Sequence, residues 1–357
     1  MKAAQKHVEE QEHAVPRIST FARRLLKEWN RLGLPATEIQ VVIGASGGAD
    51  SMALLLAVDE LIRSKRLLIR VTVAHLNHGL RGEAGKGDAR WVKEKADDLS
   101  LDMVGENINV REIAGESGDN LEQAARRVRY QFFLDVAART ESSAVLTAHT
   151  MEDQAETVLL RLMRGSGIEG LGGINAVRVL DSESQILLVR PLLRWARRAE
   201  TEHYCHERAI DFRSDTMNSD ESFSRVRVRR QLLPLMQTFN GRIVETLSRT
   251  SGLLQKDSSA LEIQAKELLR KARTEEKDGT RPLRIDILAL AHESVRRRAL
   301  REWIKVERGD VRRLELAHML AVEKLIFGER GGRKAELPGG SSVLRKKGRL
   351  LFYSSEK

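Results

Sequence analysis

The stretch VVIGASGGADSMALL, residues 41–55, joins a β-branched apolar run to an apolar helical run through small residues, an acid and a serine. Glycine lets the backbone approach a ligand closely, and the N–H groups at a helix start favour an anion. In parallel α/β folds, ligands bind where the carboxyl end of a strand turns into a helix. We therefore predict a phosphate-binding loop rather than a plain turn with a capping serine. The predicted loop consists of Ser46, Gly47, Gly48, Ala49, Asp50 and Ser51. No Gly-Lys-Ser/Thr follows, so it is not a Walker A loop.

Apolar runs and helical patterns alternate on both sides of this loop. Strands are predicted at 40–46, 67–76, 101–110, 143–149 and 185–193, and helices at 17–33, at 118–139 and from Glu152. Such alternation predicts an α/β fold, a Rossmann-like parallel sheet with helices on both faces. Beyond about residue 215, helical periodicity dominates until a Gly-rich tail with short alternating strands. The predicted domains are a helical lead-in over 1–37, the α/β domain over 38–215, a basic connector over 216–240, and a smaller, mostly helical domain with a short β-rich tail over 241–357.

The charge of the chain indicates a polyanionic partner. Its 357 residues include 61 Lys and Arg against 51 Asp and Glu, a net charge of +10. Basic residues cluster at 225–230, 294–305 and 343–350. Aromatic residues make up 4% of the chain, too few for a base-stacking platform. We therefore expect phosphate contacts to a folded nucleic acid rather than to a membrane.

Cysteine content and hydropathy indicate the compartment. The single cysteine, Cys205, excludes a disulfide framework and any CxxC metal or redox site. The first 17 residues are charged and lack the apolar segment of a signal peptide. No apolar run approaches the roughly 20 residues of a membrane span. We expect a soluble cytoplasmic protein without a membrane partner.

The hexapeptide SGGADS, residues 46–51, matches the SGGxDS signature of the PP-loop ATP pyrophosphatase superfamily. This resemblance implies adenylation of a substrate oxygen with release of pyrophosphate. Four further blocks resemble, in order and spacing, the tRNA(Ile)-lysidine synthetase family. They are HLNHGLR (75–81), NLEQAARRVRY (120–130), TAHTMEDQAETVLLRLMRGSGIEGLGG (147–173) and DTMNSDESFSRVRVRRQLLPLM (215–236).

The family resemblance implies a two-step, ATP-dependent ligation. The wobble cytidine of the CAU-anticodon tRNA(Ile) is adenylated at carbon 2, and free L-lysine then displaces AMP to form lysidine. ATP and Mg²⁺ are the expected cofactors, and a homodimer is compatible with a chain of this size. The sequence GSGIEG, 165–170, matches the G-x-G-x-x-G pattern of dinucleotide-binding sites. It follows a predicted helix instead of a strand, so we do not predict a dinucleotide site there.

The expected site residues combine the position of each block with its family role. HLNHGLR ends a strand, so His75, His78 and Arg81 lie on the binding rim of the sheet. Glu122 and Arg126 share a helical face, which without the resemblance would indicate a surface salt-bridge stripe. His149, Glu152, Asp153 and Glu156 stand where a helix starts, as a capping cluster or as a site for Mg²⁺ or the lysine ammonium.

These predictions give four sets. The predicted ATP-binding residues are Ser46, Gly47, Gly48, Ala49, Asp50, Ser51, His75 and His78, with Asp50 also the Mg²⁺ ligand. The predicted catalytic residues are Asp50, Arg126 and Asp153. The predicted lysine or Mg²⁺ residues are Glu122, His149, Glu152, Asp153 and Glu156. The predicted tRNA-binding residues are Arg81, Asn218, Arg225 and Arg229.

Two alternative functions stay open at this point. One is a different PP-loop tRNA-modifying enzyme, although thiolases that use paired cysteines or an iron–sulfur cluster need several thiolates. The other is a catalytically degenerate tRNA-binding protein of the same fold. Thr150, Glu152 and Val226 favour it, because they depart from the family pattern. The family pattern is closer to HHxDD around Thr150 and Glu152, and it has an Asn at the position of Val226. Asp50 and Asp153 favour the enzyme.

Overall fold

The computed structural model describes residues 17–118, 120–181, 183–213, 224–274, 281–328 and 332–354. The chain forms two compact units, the first ending at Gly252 and the second beginning at Leu253. The boundary falls inside one long helix, Ile243–Ala272. Each unit has its own hydrophobic core.

A six-stranded sheet organises the first unit. Its strands are β1 (Thr37–Gly44), β2 (Leu68–Asn77), β3 (Asp102–Asn107), β4 (Ala144–Leu146), β5 (Val177–Val179) and β6 (Leu187–Val189). Their order across the sheet is β3-β2-β1-β4-β6-β5. Five strands run parallel, and β5 pairs antiparallel with β6 at the edge. The order reverses between β1 and β4, which is where ligands bind in open α/β sheets.

Helices connect most of these strands, and further helices follow the last strand. They are α1 (Thr20–Arg31), α2 (Ala49–Arg63), α3 (Gly82–Asp98), α4 (Val110–Ser117), α5 (Leu121–Arg139), α6 (Met151–Met163), α7 (Ile168–Leu171), α8 (Arg198–His206), α9 (Ser224–Arg227), α10 (Leu233–Phe239) and the long helix α11 (Ile243–Ala272). A π-helical turn over Val228–Leu232 joins α9 to α10.

Alternation along the central strand explains why helices lie on both faces of the sheet. Val41 and Ile43 belong to the larger apolar cluster, which also contains residues of α1, α2, α3 and α8. Val42 points to the opposite face and joins the cluster formed with Phe132 and Phe133 of α5. Successive strand residues face opposite sides of a sheet, so an unbroken apolar run is buried on both.

The glycine that ends β1 brings helix α5 close to the sheet. A Cβ built on Gly44 would lie 2.5 Å from the ring atom Cζ of Phe133. Any larger residue at position 44 would therefore displace the Phe133 ring. The glycine thus makes room for this ring of α5 against the strand that leads into the SGGADS loop.

The second unit combines helices with a small antiparallel sheet. Its strand order is β7-β10-β9-β8. The elements are β7 (Leu283–Arg284), α12 (Ile285–Leu290), α13 (Glu293–Arg308), α14 (Leu316–Phe327), β8 (Lys334–Glu336), β9 (Ser342–Lys346) and β10 (Arg349–Tyr353). Trp303 and Leu300 of α13 are fully buried in its core.

The predicted fold class is confirmed: a mainly parallel α/β sheet precedes a helical region and a short β tail. Several elements differ from the prediction; the third strand, predicted to reach residue 110, ends at Asn107, and helix α4 begins at Val110. The edge strand β5 was not predicted, because only three residues form it. The helical pattern over 286–306 is two helices, because Ala291 has an extended backbone and His292 caps α13. Within the described ranges, no helix is long and apolar enough to cross a membrane.

Candidate active site

The SGGADS loop is held by its own serines. The backbone N–H of Ser46 donates to Oγ of Ser51 at 3.1 Å, and Ser51 Oγ donates to the Gly48 carbonyl at 2.9 Å. Gly47 has φ +86°, a conformation that favours glycine. Gly48 is the N-cap of α2, and no side chain caps that helix. The uncapped first turn of α2 is therefore a place where a phosphate can accept hydrogen bonds.

Two predicted rim histidines lie beside this loop on β2 and the segment that follows it. His75 Nδ1 donates to the Ala45 carbonyl at 2.8 Å, which leaves Nε2 as the acceptor of the neutral ring. Burial lowers the pKa of His75, so the ring is neutral at pH 7. The Arg129 guanidinium donates to Nε2 of His78 at 3.0 Å. The rim histidines are thus oriented by the loop and by helix α5.

Asp50, in the first turn of α2, is contacted from helix α8. Thr201 Oγ1 donates to Asp50 Oδ1 at 2.5 Å, and Nε of Arg198 lies 3.6 Å from Asp50 Oδ2. Burial raises the pKa of Asp50 to about 6, although the Thr201 hydrogen bond and Arg198 oppose that rise. The carboxylate therefore changes charge close to physiological pH.

Asp153 has two roles at the start of helix α6. Its Oδ2 accepts the backbone N–H of Thr150 at 2.9 Å, and its Oδ1 accepts from Arg198 at 2.9 Å. Burial by itself would raise the pKa of Asp153, but Arg198, His149 and the Thr150 N–H lower it overall. The carboxylate stays ionised at pH 7, and Thr150 supplies the helix cap.

Glu156 lies one turn further along α6 and is fully buried. It accepts from Arg229 Nε at 2.7 Å and from Arg198 Nη1 at 3.2 Å. Glu152 instead accepts from Arg197 Nε at 2.5 Å and from the backbone N–H of Arg198 at 3.2 Å. The structure therefore brings the three predicted acids of α6 together and surrounds them with arginines.

His149 lies between the acids and a group of arginines. Thr147 Oγ1 lies 3.1 Å from His149 Nδ1. Burial is the main cause that lowers the pKa of His149, to about 3, and the charges of Arg190, Arg129 and Arg126 add to that effect. The imidazole is neutral at pH 7, so it contributes hydrogen bonds but no charge to the site.

Other predicted residues lie outside this acid cluster. The Glu122 side chain is 70% exposed, with Arg225 Nη1 at 3.9 Å. The Arg126 guanidinium lies over the ring of Tyr130 at 4.9 Å from its centroid. Arg81 forms an ion pair with Asp88 of α3. Asn218 lies outside the described residues.

The HYCH stretch, 203–206, lies on helix α8, as predicted. His203 Nε2 lies 3.3 Å from Glu207, and Cys205 is buried with Sγ 3.4 Å from the Ala49 carbonyl. In the part of the chain that the structure describes, no three His, Cys, Asp or Glu side chains are grouped as ligands for a metal.

Sequence reasoning missed the residues of α8 that link the loop to the acids. Arg197, Arg198 and Thr201 contact Glu152, Asp153 and Asp50 respectively. A usable signal was present in RWARRAET, 194–201, where two arginines precede a short helix shortly after a buried strand. Their target could not be predicted, because the three acids they contact lie more than 40 residues away.

The family comparisons agree with this geometry. Residues 18–236 match the model of the PP-loop domain, and residues 283–351 match the TilS substrate binding domain. One solved structure, the U34-tRNA thiolase NcsA from Methanococcus maripaludis with its [4Fe-4S] cluster, superposes with a TM-score of 0.54. It shares 16% identity over 66% of this chain and 78% of that chain, which shows a common fold only. The first unit is therefore a PP-loop domain.

The relatives define the family more closely. A tRNA(Ile)-lysidine synthase of Salinispora tropica is 38% identical over 87% of this chain and 89% of its own length. Another, from Geobacter sulfurreducens, is 37% identical over 88% of this chain and 64% of its own length. A third, from Clostridioides difficile, is 30% identical over 93% of this chain and 70% of its own length. The chain belongs to the tRNA(Ile)-lysidine synthase family.

Proposed function

We propose that this protein ligates lysine to carbon 2 of the wobble cytidine of CAU-anticodon tRNA(Ile), converting ATP to AMP and pyrophosphate. The observation that carries the proposal is the position of Arg198. Its guanidinium contacts Asp50 beside the phosphate loop and also Asp153 and Glu156 of the acid cluster. A nucleotide on the loop and an amine on the acids would therefore lie side by side. The names of the relatives support the same reaction.

In the first step, ATP lies over residues 46–51 with its phosphates at the start of α2. The oxygen at carbon 2 of the cytosine attacks the α-phosphorus, and pyrophosphate leaves. Backbone N–H groups at a helix start and nearby arginines stabilise the charge that develops on the leaving group. Arg126 is the proposed side-chain cation for this step, and His75 and His78 are proposed to contact the nucleotide.

Mg²⁺ fits the residues around the loop. Asp50 supplies a carboxylate oxygen next to the proposed phosphates, and Mg²⁺ is usually bound by one or two carboxylates together with substrate phosphates. When bound, the ion neutralises charge on the phosphates. Its Asp50 ligand is held in place by Thr201.

In the second step, the ε-amine of lysine attacks carbon 2 and AMP leaves. The lysine enters as an ammonium ion, which must lose a proton before it can attack. Asp153 and Glu156 are proposed to bind the ammonium. Since the pKa of Asp153 is lowered, it supports binding and orientation of the ammonium better than proton abstraction. Glu152, which pairs with Arg197, and the exposed Glu122 remain further candidates for this role.

The tRNA is proposed to contact the basic connector and the second unit. Arg225 lies in α9 and Arg229 in the π-helical turn that leads into α10, and both, with Asn218 and Arg81, remain predicted contacts. The substrate and the single cysteine support a cytoplasmic location. A homodimer also remains a prediction, which light scattering of the purified protein would test.

Transfer of radiolabelled lysine tests the proposed function. Two in vitro transcripts are used, the CAU-anticodon isoleucine tRNA and the methionine tRNA, each with and without ATP. ATP-dependent labelling of the isoleucine transcript alone is the expected result. If the protein binds tRNA in a salt-sensitive manner without any labelling, the degenerate tRNA-binding protein is the better description. Full lysine transfer by Asp153→Ala would exclude the role proposed for Asp153.

A further inference from the structure

A second group of arginines lies around Tyr130, and the charges of two of them, Arg190 and Arg126, also act on His149. The guanidinium carbon of Arg178, on edge strand β5, lies 4.8 Å from the centroid of the Tyr130 ring. Arg126, one turn before Tyr130 on α5, lies 4.9 Å from the same centroid. Arg190, directly after β6, has Nη2 3.4 Å from the Tyr130 hydroxyl. Three separate elements thus bring their arginines to one tyrosine.

The described contacts of these arginines include no acid. Arg126 and Arg178 lie over the Tyr130 ring, and among the described residues none of Arg126, Arg178 and Arg190 forms an ion pair with an Asp or Glu side chain. Arg190 is 1% exposed; it donates to the Asn175 carbonyl at 2.7 Å, but its Nε has no hydrogen-bond partner within the described part of the chain. A buried cation without a counter-ion is costly, so a bound anion would stabilise this arrangement.

The tyrosine keeps the guanidinium groups in place. An aromatic face attracts a cation, which reduces the cost of holding like charges close together. Burial alone would raise the pKa of Tyr130, yet Arg126, Arg190 and Arg178 lower it overall. The positive field at the ring therefore outweighs the effect of burial.

The position of the group indicates which anion it takes. Strand β5, which carries Arg178, is the third strand from β1, so the two strands lie about 14 Å apart across the sheet at the usual strand spacing. The loop has its own donors for the nucleotide phosphates. Arginine forks match phosphate oxygens, and RNA is held largely by such backbone contacts.

We propose that Arg178, held on Tyr130 beside the buried positive charge of Arg190, binds a backbone phosphate of the RNA substrate. This inference rests on the proposed function, since it assumes that the first unit receives the tRNA. Arg126 on the same ring keeps the role proposed for it in the adenylation step. Arg178 positions the RNA and takes no part in bond formation.

Binding of a fluorescent isoleucine tRNA transcript to the full chain tests the site. Arg178→Gln is compared with Arg139→Gln, an exposed arginine at the other end of α5, by anisotropy at several salt concentrations. We expect Arg178→Gln to weaken tRNA binding about tenfold and to lower the salt slope by about one, with the Kd of ATP unchanged. Arg139→Gln should bind tRNA like the parent protein.

Two results would overturn the site. If Arg178→Gln weakens ATP binding while the Kd of tRNA is unchanged, the arginines serve the nucleotide. If neither Kd changes, their role is structural. Should Arg178→Gln unfold, Arg178→Lys is used instead, because it keeps the charge but lacks the forked guanidinium. We expect a smaller loss of tRNA affinity in this variant, and an unchanged Kd of tRNA would count against the site. The binding measurement does not require lysine transfer. Failure of the phosphate site can therefore be distinguished from failure of the proposed reaction.

Discussion

The hydroxyl of Thr201 donates a hydrogen bond to Oδ1 of Asp50 at 2.5 Å and ties the first turn of α8 to the first turn of α2. Thr201 is fully buried, and 151 residues separate it from Asp50 in sequence. Because the same helix carries Arg198, one element orients the carboxylate at the phosphate loop and the acids of α6. The position of α8 therefore couples the two halves of the site.

We expect Thr201→Val to shift the pH dependence of the reaction. The hydrogen bond stabilises the Asp50 carboxylate and lowers its pKa from what burial alone would produce, so its loss raises the pKa above about 6. A hydrogen bond to a charged group contributes about 1.5–3 kcal/mol, which corresponds to roughly one or two pKa units. The acidic limb of kcat/KM for ATP against pH should move upward by about that amount. Thr201→Ser, which keeps the hydroxyl, should retain the parent profile; an equal shift in both variants would contradict the prediction.

Glu156→Gln should impair lysine binding selectively. The substitution preserves shape but removes the negative charge that faces the proposed ammonium, a loss of about 2–3 kcal/mol. The KM for lysine should therefore rise by about two orders of magnitude, while the Kd of ATP stays within a factor of about three. Steady-state lysine transfer measures the first quantity and equilibrium binding the second. The exposed Glu116→Gln is the control, and a parent-like KM for lysine in Glu156→Gln would refute the assignment.

Glu323→Ala should loosen the second unit. The side chains of Arg296 and Glu323 are 9% and 8% exposed and lie 2.7 Å apart, and Arg297 also donates to Glu323 at 2.6 Å. Removing one partner of a buried ion pair leaves an unpaired buried charge and costs about 3–5 kcal/mol. Hydrogen exchange of α13 and α14 should therefore accelerate strongly. Glu262→Ala, which breaks an exposed pair with Lys266, should change exchange little. Similar exchange in the two variants would argue against a stabilising role for the pair.

Cys205 should be unreactive in the native protein. It is fully buried on α8, and burial raises its pKa to about 12, so little thiolate forms at pH 8. A chromogenic disulfide reagent should modify one thiol per chain in denaturant and almost none without it. Because the chain contains a single cysteine, each modification is assigned without a variant. Rapid labelling under native conditions would show that α8 opens readily.

The loop and the acid cluster illustrate how far local sequence can lead. The glycine and serine spacing of SGGADS predicted a strand, a turn and a helix start, and all three lie as predicted. The acids of α6 were placed at a helix start by their position after an apolar strand, and Thr150 and Asp153 form its cap. Such features depend on neighbours within about four residues, which the sequence displays directly.

Contacts between distant segments could not be predicted in the same way. The sequence around Arg178 does not predict its contact with Tyr130, because strand β5 is short and lacks a strong strand pattern. The same holds for Arg229 and Glu156, which are 73 residues apart. Predicting such pairs requires the order of strands across the sheet.

The sequence by itself determined the α/β class, the SGGADS loop at the end of β1 and the residue types available for chemistry, since apolar periodicity and glycine placement act locally. The tertiary structure decided which carboxylates are buried, which arginines neutralise them and which arginines remain without an acid. Those properties arise from through-space electrostatics and from desolvation. Both depend on which segments the folded sheet brings together.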